Sequence, residues 1–134
     1  MLDEDGASNR YLGDASLSRG SPAWSPTGRW LAMREGPVSF ENIVTVDPQS
    51  EERRIVTSDP WGRHDWPTWS PDGGSIAYVE MGVSPTHEHM GVYARGADIH
   101  VVDLADLSVR QLTSSRGFDG MPAWSPRLGP KAGE

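Results

Sequence analysis

Pro67-Thr68-Trp69-Ser70-Pro71-Asp72-Gly73 is the stretch on which the reading of this chain turns, because its opening occurs three times. Pro22-Ala23-Trp24-Ser25-Pro26 precedes it by 45 residues, and Pro122-Ala123-Trp124-Ser125-Pro126 follows it by 55. Three such matches, each carrying a tryptophan, are an internal repeat, and periods of 20–50 residues mark repeat architectures. The likeness runs past the motif. At an offset of 45, Ser25-Pro26-Thr27-Gly28 matches Ser70-Pro71-Asp72-Gly73 and Leu31-Ala32 matches Ile76-Ala77. At an offset of 56, Ile43-Val44-Thr45-Val46-Asp47 matches Ile99-His100-Val101-Val102-Asp103, Arg54 matches Arg110, and Thr57-Ser58 matches Thr113-Ser114. The change of offset places an 11-residue insertion between Glu80 and Asp98.

Each unit reads as four short strands rich in Val, Ile, Tyr and Thr and bounded by Gly, Pro, Asp and Ser. In the second unit these are Pro67 to Ser70, Ser75 to Met81, Asp98 to Leu104 and Val109 to Ser114. In the first, Leu31 to Arg34, Asn42 to Asp47 and Arg53 to Ser58 correspond to the last three. Proline presets φ for the turn after the first strand, and glycine tolerates the left-handed position that follows. No sustained helical period is visible, so the expected class is all-β. Arg10-Tyr11-Leu12 aligns with Arg110-Gln111-Leu112 and reads as the last strand of a preceding unit. The third motif reads as the first strand of a following one, with Arg127-Leu128-Gly129 where Asp-Gly is expected. The organisation is thus residues 1–21 as a tail with that outer strand, 22–66 and 67–121 as complete units (insertion 81–97), and 122–134 as an opening strand and tail.

Composition agrees with a folded, strand-rich chain. Of 134 residues, 15 are Gly and 11 Pro, but six Trp and 36% hydrophobic residues supply a core. A length near that of one ordinary domain excludes full disorder at this apolar content. Nineteen acids against twelve bases give a net charge of −7, which disfavours phosphate backbones and points to basic, neutral or cationic partners. Zero Cys removes thiol catalysis, zinc ribbons and disulfide scaffolds. No apolar run approaches the roughly 20 residues that span a bilayer, and no secretory leader is visible at the start.

The Pro-x-Trp-Ser-Pro-Asp-Gly motif, with the Ile-Ala-Tyr, Ile-x-Val-Val-Asp and Gln-Leu-Thr strands, resembles the TolB-like, WD40-like β-propeller repeat. Residues 67 to 114 match closely, 22 to 58 match with Thr27 in place of the Asp, and 122 to 126 match only the opening. The resemblance implies propeller blades and leans towards a periplasmic or extracellular setting. Such blades also occur in prolyl-oligopeptidase-type peptidases, beside amidohydrolase domains and in some lyases, so the fold alone does not name the function. Two blades cannot close a ring, and propellers need four to eight. Either three copies assemble head-to-tail into a six-bladed homotrimer, or the chain is a segment of a longer propeller, or copies stack into a fibre.

The insertion is the one individually tailored stretch. His87 and His89, at i and i+2, point to one side of an extended segment and are candidate ligands for a divalent metal. Glu88, His64 or Asp65 are possible further ligands. In propeller topology that loop shares a rim with the inter-blade loop Asp59 to Trp66, so Trp61, His64, Asp65, Trp66, Tyr93 and Arg95 form a candidate rim for a protein or carbohydrate ligand. Against these stand plain structural roles. Trp24, Trp69 and Trp124 lie in the motif and are expected to pack, and Asp65 and Asp119 are placed to cap backbone N–H groups. No Gly-x-Ser-x-Gly elbow or phosphate-binding glycine loop occurs, so neither catalytic residues nor an organic cofactor are expected. The expected function is a non-catalytic scaffold or binding module.

Overall fold

The structure is a computed structural model in which residues 12, 16–37, 40–59, 62–82, 96–115 and 117–126 are described. The chain forms β1 (Ser18–Trp24), β2 (Leu31–Gly36), β3 (Asn42–Val46), β4 (Arg53–Ile55), β5 (Gly62–Trp69), β6 (Ser75–Gly82), β7 (Ala97–Asp103) and β8 (Val109–Gln111). They make two four-stranded antiparallel sheets in which every strand lies beside its sequence neighbour, β1-β2-β3-β4 and β5-β6-β7-β8. No helix occurs among the described residues. The all-β class and the paired four-stranded meanders agree with the sequence; the two sheets do not close on themselves.

Turn chemistry explains the first hairpin of each sheet. Gly28 and Gly73 sit at φ of 71° and 73°, and their N–H groups donate to Ser25 O and Ser70 O. The Ser25 and Ser70 hydroxyls each accept the N–H that opens the next strand, from Trp30 and Ser75, at 3.0 Å. Asp72 then accepts from Ser70 Oγ at 2.6 Å and from Gly74 N at 2.9 Å. Thr27 makes the looser version of these contacts, 3.2 Å to Ser25 Oγ and 3.4 Å to Arg29 N.

The strand limits differ from the sequence expectation in two places, each with a physical cause. The inner strand β5 begins at Gly62, so residues 62–66 are strand and not inter-blade loop. Pro67 cannot donate a ladder hydrogen bond, but a bulge absorbs it: Asp65 pairs Val79 and Thr68 pairs Ala77. The same shift falls between Gly20 and Ala23 in β1. At each proline the preceding residue is left-handed, with φ of 52° at Ser21, 49° at Trp66 and 55° at Met121. The outer strands β4 and β8 end sooner than expected, because threonine hydroxyls take over from the ladder. Thr57 Oγ1 accepts Ile43 N and Thr113 Oγ1 accepts Ile99 N, both at 2.9 Å.

Residues 119–126 belong to no strand, although the third motif predicted one, since no second strand lies beside them among the described residues to complete a ladder. They nevertheless lie against the second sheet: Asp119 N donates to Ala97 O, and Trp124 Nε1 donates to Thr68 O at 2.9 Å. Trp69 Nε1 makes the matching bond to Ala23 O, also at 2.9 Å. Ala23 and Thr68 each precede the motif tryptophan of their own unit, so the repeat extends to the contact between units. Of the three motif tryptophans expected to pack, Trp69 lies against the core between the sheets, whereas Trp24 is half exposed, because no preceding unit lies beside it among the described residues.

Ala32, Ile43 and Val56 from the first sheet and Ile76, Tyr78 and Val102 from the second form one core between the sheets. The outer face of the first sheet buries Leu31, Met33, Val44 and Val46, with Leu12 against them. Of the Arg10-Tyr11-Leu12 strand expectation, only Leu12 lies within the described residues.

Candidate functional site

The site grows from one cross-strand pair that the repeat places twice. Arg19 opposes Glu35 across β1 and β2, and His64 opposes Glu80 at the equivalent point of β5 and β6. In the first sheet Glu35 is held between two guanidinium groups, Arg19 Nε at 2.8 Å and Arg53 Nη2. In the second sheet a histidine replaces Arg19, and the residue matching Arg53 is Val109. Glu80 Oε2 instead faces two imidazoles, with the Nε2 atoms of His64 and His100 4.0 and 3.5 Å away. Asp59 completes the group: one ligand atom each from Asp59, His64 and Glu80 lies within 4.8 Å of the others.

Asp59, His64 and Glu80 line a cleft between the sheets with a volume of about 350 Å³, bordered also by Ile55 to Ser58, Tyr78, Leu107 and Val109. His64 is 1% exposed. Its Nδ1 lies 3.1 Å from Glu41 O, a pure acceptor, so Nδ1 carries the proton and Nε2 turns a lone pair towards Glu80. Tyr78 meets His64 edge-on at 5.5 Å and stacks on His100 at 5.8 Å. Burial lowers the His64 pKa from its ordinary value, against the opposing pull of the Glu41 carbonyl and of the Glu80 and Asp59 carboxylates. Burial likewise raises the Tyr78 phenol.

A pH dependence follows from that shift. As pH falls below about 6.5 the unfolded chain takes up a proton at residue 64 before the folded chain does. The stability owed to neutral His64 is therefore whole above that pH and drains away below it, with a slope of up to about 1.4 kcal/mol per pH unit. Urea unfolding at pH 7.5 and 5.5 is expected to show the loss in the native chain and a shallower one in His64→Gln. Equal slopes in both would refute the assignment.

The three consecutive residues expected at the rim diverge. His64 faces the cleft. Asp65 is 3% exposed, with Oδ2 2.7 Å from Arg34 Nη1 and Oδ1 accepting from Ser21 Oγ at 2.6 Å and Trp66 N at 2.8 Å. Its expected capping of a backbone N–H is thus present. Trp66 packs edge-on against Phe118 at 5.7 Å and, with Ser21, Pro22, Pro67, Met121 and Pro122, borders a second hollow of about 270 Å³ where the three left-handed residues preceding the motif prolines converge. Trp61, His87, Glu88, His89, Tyr93 and Arg95 lie outside the described residues. The insertion nevertheless leaves and re-enters at the cleft end, since Met81 pairs with Ala97 one step beyond Glu80 and Asp98. Asp59, Tyr78, Glu80 and His100 were not marked by the sequence motif; carrying the 45-residue offset back pairs Arg19 with His64 and Glu35 with Glu80, a signal that reaches Glu80 but not Asp59, Tyr78 or His100.

Comparison with known proteins supports the fold family. The sequence matches no family model. It is 31% identical over 111 residues to the Tol-Pal system protein TolB of Gluconobacter oxydans, an alignment covering 82% of this chain and 23% of that protein. The putative TolB of Agrobacterium tumefaciens superposes with a TM-score of 0.69 at 18% identity, over 93% of this chain and 45% of that one. An oligogalacturonate lyase solved in complex with manganese gives a TM-score of 0.56 at 19% identity, over 84% of this chain and 28% of that one. Peptidases are also among the similar proteins. The two sheets are blades of the TolB-like β-propeller type, and the chain spans about a quarter of the curated TolB relative. No helix among the described residues is long and apolar enough to cross a membrane.

Proposed function

We propose that the chain is a non-catalytic binding module whose propeller is completed by further blades supplied by copies of itself, three chains making six blades. The observation that carries this is the repeated contact between units. Trp69 and Trp124 each reach the carbonyl before the preceding motif tryptophan, whereas Trp24, the first of the series, is 50% exposed. A β1 strand arriving from another copy would bring Trp24 to Thr68 O by displacing residues 117–126 from the second sheet. That exchange is a head-to-tail contact, and such contacts close into rings when the rotation between subunits allows. Ligands of neutral or basic character would then meet the rim from which the insertion departs, in keeping with the net charge of −7.

The occupied seat beside β5 favours a second reading, in which the chain is a segment of a longer propeller such as those of peptidases or lyases. Solution mass separates the two. Light scattering after size exclusion is expected to give 44.1 kDa, three subunits of 14.7 kDa, and Trp24→Ala is expected to abolish that peak. A monodisperse 14.7 kDa species would overturn the ring. The binding-module reading further expects no turnover of peptide or oligogalacturonate substrates by this chain.

A further inference from the structure

We propose that Asp59, His64 and Glu80, with His100 as a fourth donor, bind one divalent first-row transition ion in the cleft between the two sheets. The proposal is independent of how the propeller is completed. It rests first on the contrast between equivalent positions in one chain. The first sheet neutralises Glu35 with two arginines, and the second surrounds the matching Glu80 with two imidazoles and a second carboxylate. A structural ion pair has given way to a set of donors.

The geometry of those donors fits an ion. Two ligands each about 2.1 Å from a tetrahedral centre stand roughly 3.4 Å apart. His100 Nε2 and Glu80 Oε2 are 3.5 Å apart, and His64 Nε2 needs to close by only about half an ångström from its 4.0 Å. Metal-ligating histidines typically donate the other ring N–H to a carbonyl or carboxylate, which fixes the tautomer. His64 does this to Glu41 O, and its buried ring is aimed into the cleft. Gly62 keeps the approach open: a Cβ there would stand 2.8 Å from Asp59 Oδ2 and 3.1 Å from His64 Nε2. Mixed imidazole and carboxylate donors select Zn²⁺, Co²⁺ or Ni²⁺ over Mg²⁺ and Ca²⁺, which prefer all-oxygen sites. The site needs neither His87 nor His89.

The test uses the full chain, untagged and stripped with chelator, titrated calorimetrically with Zn²⁺ and Co²⁺ and melted with and without each. One ion per chain is expected, with Tm raised by about 5 °C or more at saturation and no rise with Mg²⁺ or Ca²⁺. His64→Gln and Glu80→Gln are each expected to weaken binding at least roughly tenfold, as is Gly62→Ala, while His87→Ala/His89→Ala leaves it unchanged. If the buried His64→Gln does not fold, the more exposed Glu80→Gln decides. Failure of the native chain to bind either ion overturns the site. So does binding that survives Glu80→Gln but is lost in the His87/His89 double variant.

Discussion

Asp65→Ala is expected to cost about 3–5 kcal/mol of unfolding free energy, the usual penalty for removing one partner of a buried ion pair. The carboxylate joins three elements at once. One oxygen takes Arg34 Nη1 of β2, and the other takes Ser21 Oγ from the bulge of β1 and Trp66 N from the bulge of β5. It therefore ties two adjacent left-handed bulges together, and such conformations persist only when their surroundings over-determine them. Arg34 crosses the site over Gly20, where a Cβ would stand 2.6 Å from Nη2. Without Asp65 that guanidinium has lost its counter-charge while still largely buried. Asp65→Asn keeps an acceptor for Trp66 N and Ser21 Oγ and should lose roughly half as much, because only the charge is gone. Urea titrations of the three proteins at pH 7 measure this directly; a loss below about 1 kcal/mol in Asp65→Ala would show that the bulges hold without it.

Much of the architecture was legible because it is written in local chemistry that repeats. Ser-Pro-Asp-Gly specifies a turn on its own, and the Ile-x-Val-Val-Asp run specifies a strand, so two copies of each place two sheets. The bulges were not legible. Their left-handed residues are Ser21 and Trp66, neither of them glycine, and what holds Ser21 is a long-range contact to Asp65. For the same reason β5 was expected to start at Pro67 instead of Gly62: a proline ends a ladder unless a bulge steps past it. At the candidate site, His64 was marked as a possible ligand, but its partners were not. Glu80 lies 16 residues further along and His100 another 20, and only the registers of β5, β6 and β7 bring them together. The sequence points to His87 and His89 for a metal because their adjacency is visible in one dimension, whereas His64, Glu80 and His100 become neighbours only through folding.

Ile76→Ala tests whether the two sheets behave as one body. Ile76 is fully buried, and its cluster draws Ala32, Ile43 and Val56 from the first sheet and Tyr78 and Val102 from the second. Truncating an isoleucine in such a core typically costs about 2–5 kcal/mol, the lost transfer free energy plus the cavity left behind. Ile76→Val, with one methyl fewer, should cost about 0.5–1.5 kcal/mol, and the ratio between the two reports how far the site collapses. The cavity would form within a cluster shared with Ala32, Ile43 and Val56, so its effect should cross to the neighbouring sheet. Backbone amides of β2 and β3 are then expected to lose hydrogen-exchange protection in Ile76→Ala together with those of β6 and β7, in a single cooperative urea transition. Loss confined to β6 and β7, or a transition split in two, would mean that each blade unfolds by itself and that the shared core adds little to either. The cleft holding His64 and Glu80 sits between the same two sheets, so its geometry is only as firm as this contact: Ile76→Ala is accordingly expected to loosen the cleft even though residue 76 carries none of its donors.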